Sequence, residues 1–159
     1  MTITGAKTNL ELNTLKDSYT EKFVITGASG YFAKKIETVE LPVEFRDAAN
    51  GAVAWNWDNG YSDSSAVIFK KATGSGTITA TGRATSQMIV FGIDSMFNGS
   101  IDLTGGKNRV IFGDPVTTVA TAANSSITVE RFGIGRIKKG GVWKADYITI
   151  NGPVAIDGK

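Results

Sequence analysis

Between Val39 and Phe45 apolar residues take every second place: Val39, Leu41, Val43 and Phe45 alternate with Glu40, Pro42 and Glu44. A period of two puts one side of the chain in a core and the other in water, the pattern of a half-buried β-strand. Pro42 has no N–H to give to a ladder, which predicts an edge strand or a bulged one. Short β-branched or apolar runs of the same kind recur at 23–26, 52–57, 66–70, 77–81, 88–93, 100–103, 109–112, 116–121, 127–132 and 142–150. Between them stand Asn50-Gly51, Asn59-Gly60, Gly74-Ser-Gly76, Asn98-Gly99, Gly105-Gly106, Gly113-Asp-Pro115, Gly140-Gly141 and Asn151-Gly-Pro153. Asn-Gly supplies the positive φ angles of a type I′ turn, so these dipeptides predict tight hairpins.

Strands at intervals of about 8–12 residues with turn chemistry between them predict an all-β domain, an antiparallel β-sandwich or barrel, over 23–159. No clean repeat of about 20–50 residues is legible, which leaves a propeller or β-solenoid as a minor option. Residues 1–22 are polar apart from Leu10, Leu12, Leu15 and Tyr19, and they read as an N-terminal arm or a short helix.

The 159 residues contain no histidine and no cysteine, while glycine occurs 19 times. The usual base near neutral pH, the thiol nucleophile and the two commonest transition-metal ligands are therefore missing. No metal site and no cofactor is expected. Without histidine a serine nucleophile needs a lysine or N-terminal variant, and no Ser-x-x-Lys spacing stands out. Catalysis would fall to carboxylates, which nothing in the sequence pairs. The chain is expected not to be an enzyme.

A formal charge of +2 is too small to argue for nucleic acid. The cations do gather towards the C-terminus, where Arg131, Arg136, Lys138, Lys139 and Lys144 follow one another with no acid between them, a solvated basic face or a surface for an anionic partner. The first residues lack the charged start and apolar stretch of a secretory signal, and no apolar run approaches the roughly 18 residues that span a bilayer. Synthesis in the cytoplasm and no membrane are the expectations.

One glycine motif invites a nucleotide. Phe23-Val-Ile-Thr-Gly-Ala-Ser-Gly-Tyr-Phe-Ala-Lys-Lys-Ile36 resembles the first strand-turn-helix of the short-chain dehydrogenase/reductase family. That resemblance implies an NAD(P)-binding oxidoreductase-like fragment, with Gly27 and Gly30 admitting a pyrophosphate. Its surroundings point elsewhere. Thr38-Val-Glu-Leu-Pro42 favours extended chain where a helix should run, and the only Tyr-x-x-x-Lys spacing, Tyr31 to Lys35, lies inside the motif itself. The densest polar-aromatic stretch is Trp55-Asn-Trp-Asp-Asn-Gly-Tyr-Ser-Asp63. Trp55, Trp57, Asp58 and Tyr61 make a candidate glycan platform, with rings for sugar faces and polar atoms for hydroxyls. The competing reading has Trp55 and Trp57, two apart, on one strand face in a core.

The Cys-free texture rich in Gly, Thr, Ser, Ala and Val is similar to that of β-rich structural proteins of tailed-phage virions: head decoration or cement, tail and fibre proteins. The resemblance implies a non-enzymatic homo-oligomer that works through contacts with itself and with other virion proteins. On that reading the arm, through Leu10, Leu12 and Leu15, and the basic group of Arg131, Arg136, Lys138 and Lys139 are candidate subunit interfaces. The segment Ile148 to Lys159 is expected to reach neighbours too. A carbohydrate-binding module or adhesin is the alternative.

Overall fold

In a computed structural model, which describes residues 1–6, 11–30, 36–57, 65–81, 86–114 and 124–157, every paired strand runs parallel to its neighbours. The strands are β1 (Thr2–Ala6), β2 (Phe23–Gly30), β3 (Ile36–Val39), β4 (Val43–Phe45), β5 (Trp55–Trp57), β6 (Ser65–Phe69), β7 (Ala72–Gly74) and β8 (Thr77–Thr81). They continue as β9 (Gln87–Phe91), β10 (Ser100–Thr104), β11 (Asn108–Phe112), β12 (Ser126–Val129), β13 (Gly135–Ile137), β14 (Trp143–Lys144), β15 (Tyr147–Ile150) and β16 (Val154–Ile156). One helical turn, α1 (Leu12–Leu15), follows β1.

A strand's partner is not the next strand along the chain but one roughly a turn away. Phe23 lies beside Val43, Ala28 beside Trp55, Ala66 beside Met88, and Ser126 beside Tyr147. The chain therefore coils as a parallel β-solenoid with three faces. The first face carries the start of β2, then β4 and β7. Residues 96–98 follow, hydrogen-bonded through Met96 N–H to Ala72 O and Asn98 N–H to Gly74 O, and β13 with β16 complete it. The second carries the end of β2, then β5, β8, β10 and β14. The third stacks β3, β6, β9, β11, β12 and β15.

This overturns the antiparallel sandwich. The glycines expected to close hairpins turn the corners of the coil or let one turn settle on the turn beneath. A Cβ on Gly99 would collide with the backbone of Gly76, one turn earlier, and one on Gly74, at φ +103°, with the backbone of Phe45. The alternation from Val39 to Phe45 is real in burial yet is not one strand. The chain turns at Pro42, between β3 and β4, and Val39, Val43 and Phe45 enter the core from two faces. Proline suits that corner, where its carbonyl accepts the Phe23 N–H and it owes no N–H to a ladder. The run expected at 116–121 lies outside the described residues. The N-terminal segment is part of the coil: β1 pairs with β2, and Leu12 is fully buried in the core.

Parallel in-register pairing points matched residues the same way, so the core is built in columns along the coil axis. On the third face one column runs Val39, Phe69, Phe91, Phe112, Val129, Ile150 and the next runs Glu37, Val67, Ile89, Val110, Ile127, Ile148. A third, polar column inside the same face holds Ser65, Gln87 and Asn108, all buried, and the Ser65 hydroxyl bonds the Gln87 amide oxygen. Aromatic rings lock successive turns: Phe91 lies 5.0 Å from Phe112 and 6.1 Å from Phe69. On the second face Trp55 stands between Ala28 and Ile78, and Trp57 between Gly30 and Ala80, whose small side chains make room for its indole. Outside the first face, Lys22 and Arg46 grip Glu44 at 2.8 and 2.5 Å.

Removing a ring from the middle of a column leaves a void that neighbouring turns cannot fill. Phe91→Ala is expected to cost about 3–5 kcal/mol of unfolding free energy in urea titrations. Hydrogen bonds from Lys22 and then Arg46 hold the Glu44 carboxyl below its ordinary value. Its contribution is complete above the ordinary carboxylate range and is lost as the pH falls through the lowered folded value. Stability measured down to pH 3 should therefore fall less steeply in Glu44→Gln than in the wild type, and equal slopes would count against the pairing.

Candidate interface at the C-terminal turn

The two ends of the coil are finished differently. At the N-terminal end the apolar residues of the first turn are buried within the chain's own core: Ile3 is 5% exposed and Leu12 0%. Helix α1 is tied there by the Asn13 side-chain amide, which donates to Thr38 O at 2.6 Å. At the C-terminal end the columns stop uncovered. Ile127 and Val129 are fully buried, but Ile148 and Ile150, in register with them one turn on, are 46% and 48% exposed. Ile156, last residue of β16 and in register with Ile137, is 46% exposed. Ile148 and Ile150, which point inward by register, thus meet solvent, and among the described residues no further turn lies over them.

The backbone of this end is open as well. Tyr147 N–H donates to Ser125 O and Asn151 N–H to Val129 O, so the odd-numbered residues of β15 bond to β12. In a parallel ladder the alternate residues face the other way. The N–H and C=O groups of Ile148 and Ile150 accordingly aim at the free edge, a template for another strand.

Polar and aromatic side chains surround the edge. Phe132 and Tyr147 are largely exposed, and the Arg131 guanidinium sits 5.5 Å from the centre of the Phe132 ring. Asp146 braces the start of β15, accepting from Ser125 N–H at 3.0 Å and from its hydroxyl at 2.9 Å. Of the basic group, Arg131 and Lys139 are exposed and Arg136 and Lys138 half-buried. The Lys138 ammonium donates to Ser75 O at 2.6 Å and lies 3.9 Å from an Asp47 oxygen, which ties β13 to the corners that follow β7 and β4, two and three turns back. The group thus belongs to the last turns of the coil, and its Lys138 is directed back toward earlier ones.

The other candidate residues are distributed differently. Leu12 is a core residue and is not available to a neighbour; Leu15, at the end of α1, is 47% exposed; Leu10 lies outside the described residues. Trp55 and Trp57 are 0% and 3% exposed, stacked on one another at 5.4 Å, and the Trp55 indole N–H donates to Gly30 O. Neither ring is open to a sugar, so the core reading of this pair replaces the platform. Asp58 and Tyr61 lie outside the described residues. Gly27 and Gly30 are residues of strand β2, not of a phosphate-binding turn, and Gly27 marks the bend between two faces.

Comparison with family models, curated proteins and solved structures finds no match to the chain. Among the described residues, no helix is long and apolar enough to cross a membrane, and no three acidic groups gather as metal ligands.

Burial of the tryptophans has a direct optical consequence. Emission from Trp55 and Trp57 is expected to be blue-shifted and resistant to iodide, with quenching confined to half-buried Trp143. Trp57→Ala is expected to lower stability by about 3–5 kcal/mol, as for other buried large-to-small changes. Strong iodide quenching in Trp143→Phe would contradict this placement.

Proposed function

We propose that the chain is a non-enzymatic structural protein that works through subunit contacts, with its open C-terminal turn as the joining surface. The observation that carries this reading is the exposure of Ile148 and Ile150 at positions whose register partners, Ile127 and Val129, lie inside the coil. Covering those two half-exposed side chains is worth on the order of 1.5–3 kcal/mol from apolar area alone. A strand laid along β15 would also satisfy the free backbone groups of the edge. We assign the protein to a virion, as capsid decoration or tail component, on the strength of its Cys-free, Gly- and Thr-rich β texture. In that setting burial across subunit junctions raises particle stability by mass action, with no catalytic group involved. Its partners would be copies of itself and other virion proteins.

The exposed cations of the last turns, Arg131 and Lys139, qualify the interface. They favour a neighbour whose rim is neutral or acidic, and they set a salt dependence for any contact between like ends. No glycan enters this reading, because Trp55 and Trp57 are spent in the core.

Sedimentation velocity over a concentration series tests the reading. The wild type should associate, and the double variant I148K/I150K should sediment as a monomer of 16.8 kDa with unchanged circular dichroism. A wild type that stays monomeric at about 100 µM, a concentration at which an interface worth 6 kcal/mol would be largely occupied, overturns it.

A further inference from the structure

The assembly reading leaves open what covers the C-terminal turn. Resting on that reading, we infer that the occupant is the same turn of a second copy, joined across a two-fold axis through antiparallel pairing of β15 with β15.

The ends themselves select this arrangement. Head-to-tail stacking would set the exposed Ile148 and Ile150 against an N-terminal turn whose apolar residues, Ile3 and Leu12, are already buried within their own chain. Among the described residues, the surface that offers both uncovered inward isoleucines and a free parallel edge is the C-terminal turn itself. A two-fold contact between like surfaces is isologous and closes at a dimer, whereas a head-to-tail contact propagates into a filament.

The backbone then fixes the register. For the sheet to continue with both apolar sides facing the joint core, opposed residues must have the same parity, since side chains alternate along a strand. Centring the axis on Thr149 opposes Ile148 to Ile150 of the other copy, twice, and Thr149 to itself. The hydrogen-bonding groups agree with this choice. Ile148 and Ile150 direct N–H and C=O to the free edge, as an antiparallel hydrogen-bonded pair requires, and Thr149 turns its own towards β12. Thr149 against Thr149 is therefore a non-hydrogen-bonded pair with Cα atoms about 4.5 Å apart, inside the range a disulfide spans. Its side chain lies on the outer side of the face, in register with Thr128, and is exposed. Arg131 and Lys139 of the two copies come to the same end, so added salt should tighten the contact by screening like charges.

The chain has no cysteine, so a single introduced thiol reports on one contact. Thr149→Cys, oxidised mildly at a concentration where the wild type associates, should cross-link into a covalent dimer that keeps the wild-type circular dichroism. Thr14→Cys, on the exposed side of α1, should stay uncross-linked under the same conditions. In parallel, sedimentation of the wild type should reach a limiting mass of two chains, and raising NaCl from 0.05 to 0.5 M should tighten association about threefold or more. Association that continues beyond the dimer, or cross-linking through Thr14→Cys in place of Thr149→Cys, would overturn the two-fold contact and leave the assembly reading standing. A wild type that remains monomeric overturns both.

Discussion

In this molecule each turn of the coil is the cover of the turn before it. Parallel, in-register pairing sends matched side chains in the same direction, so Phe69, Phe91 and Phe112 form one column and Val67, Ile89 and Val110 another. An apolar residue in such a column is shielded laterally by the other faces and axially by the turns above and below. The stability of the coil is thus close to a sum of contacts between neighbouring turns, and its two ends are special. One end is closed by Leu12 and Ile3, while the other presents Ile148 and Ile150 half uncovered. The candidate interface is a consequence of the architecture and needs no separate motif.

The same constraint explains the glycines and small residues. Where a corner brings one turn's backbone down on another, no Cβ fits, as at Gly99 over Gly76. Small residues make room for particular indoles: Trp57 stands between Gly30 and Ala80, and a Cβ on Gly135 would strike the Trp143 ring. Polar groups inside the coil are stacked too, with Ser65, Gln87 and Asn108 at one register position, where the Ser65 hydroxyl bonds the Gln87 amide oxygen of the next turn.

Local strand character was legible in the sequence, and the way strands combine was not. The segment Thr77–Thr81 is a strand with the limits its alternation implies, and the runs at 66–70, 88–93 and 109–112 each overlap a strand that begins one residue earlier. Alternation reports which side of a residue is wet, and it does so correctly from Val39 to Phe45 although the chain turns a corner at Pro42. It does not report the direction of the partner strand. The turns also differ in length: on the third face the advance from Ile36 to Ala66 is the longest and that from Arg109 to Ser126 the shortest, so no fixed period shows. Asn-Gly was a misleading cue, since the backbone needs of a hairpin and of a solenoid corner are met by the same residues. As for the site, the basic group Arg131 to Lys139 falls in the same last turns as the exposed isoleucines. Ile148 and Ile150, however, carry the ordinary alternation of a half-buried strand, and nothing local tells a covered turn from an uncovered one. Trp55 and Trp57 likewise look the same in sequence whether they face a ligand or a core.

Residue-level amide hydrogen exchange tests the central claim, that the last turn is an unfinished β structure completed by another strand. In dilute solution the amides of Tyr147 and Thr149, bonded to β12, should be protected while those of Ile148 and Ile150 exchange freely. In concentrated solution Ile148 and Ile150 should become protected as well, leaving the rest of the third face unchanged. Protection of Ile148 and Ile150 in the dilute monomer, or its failure to appear on concentration, would contradict the account.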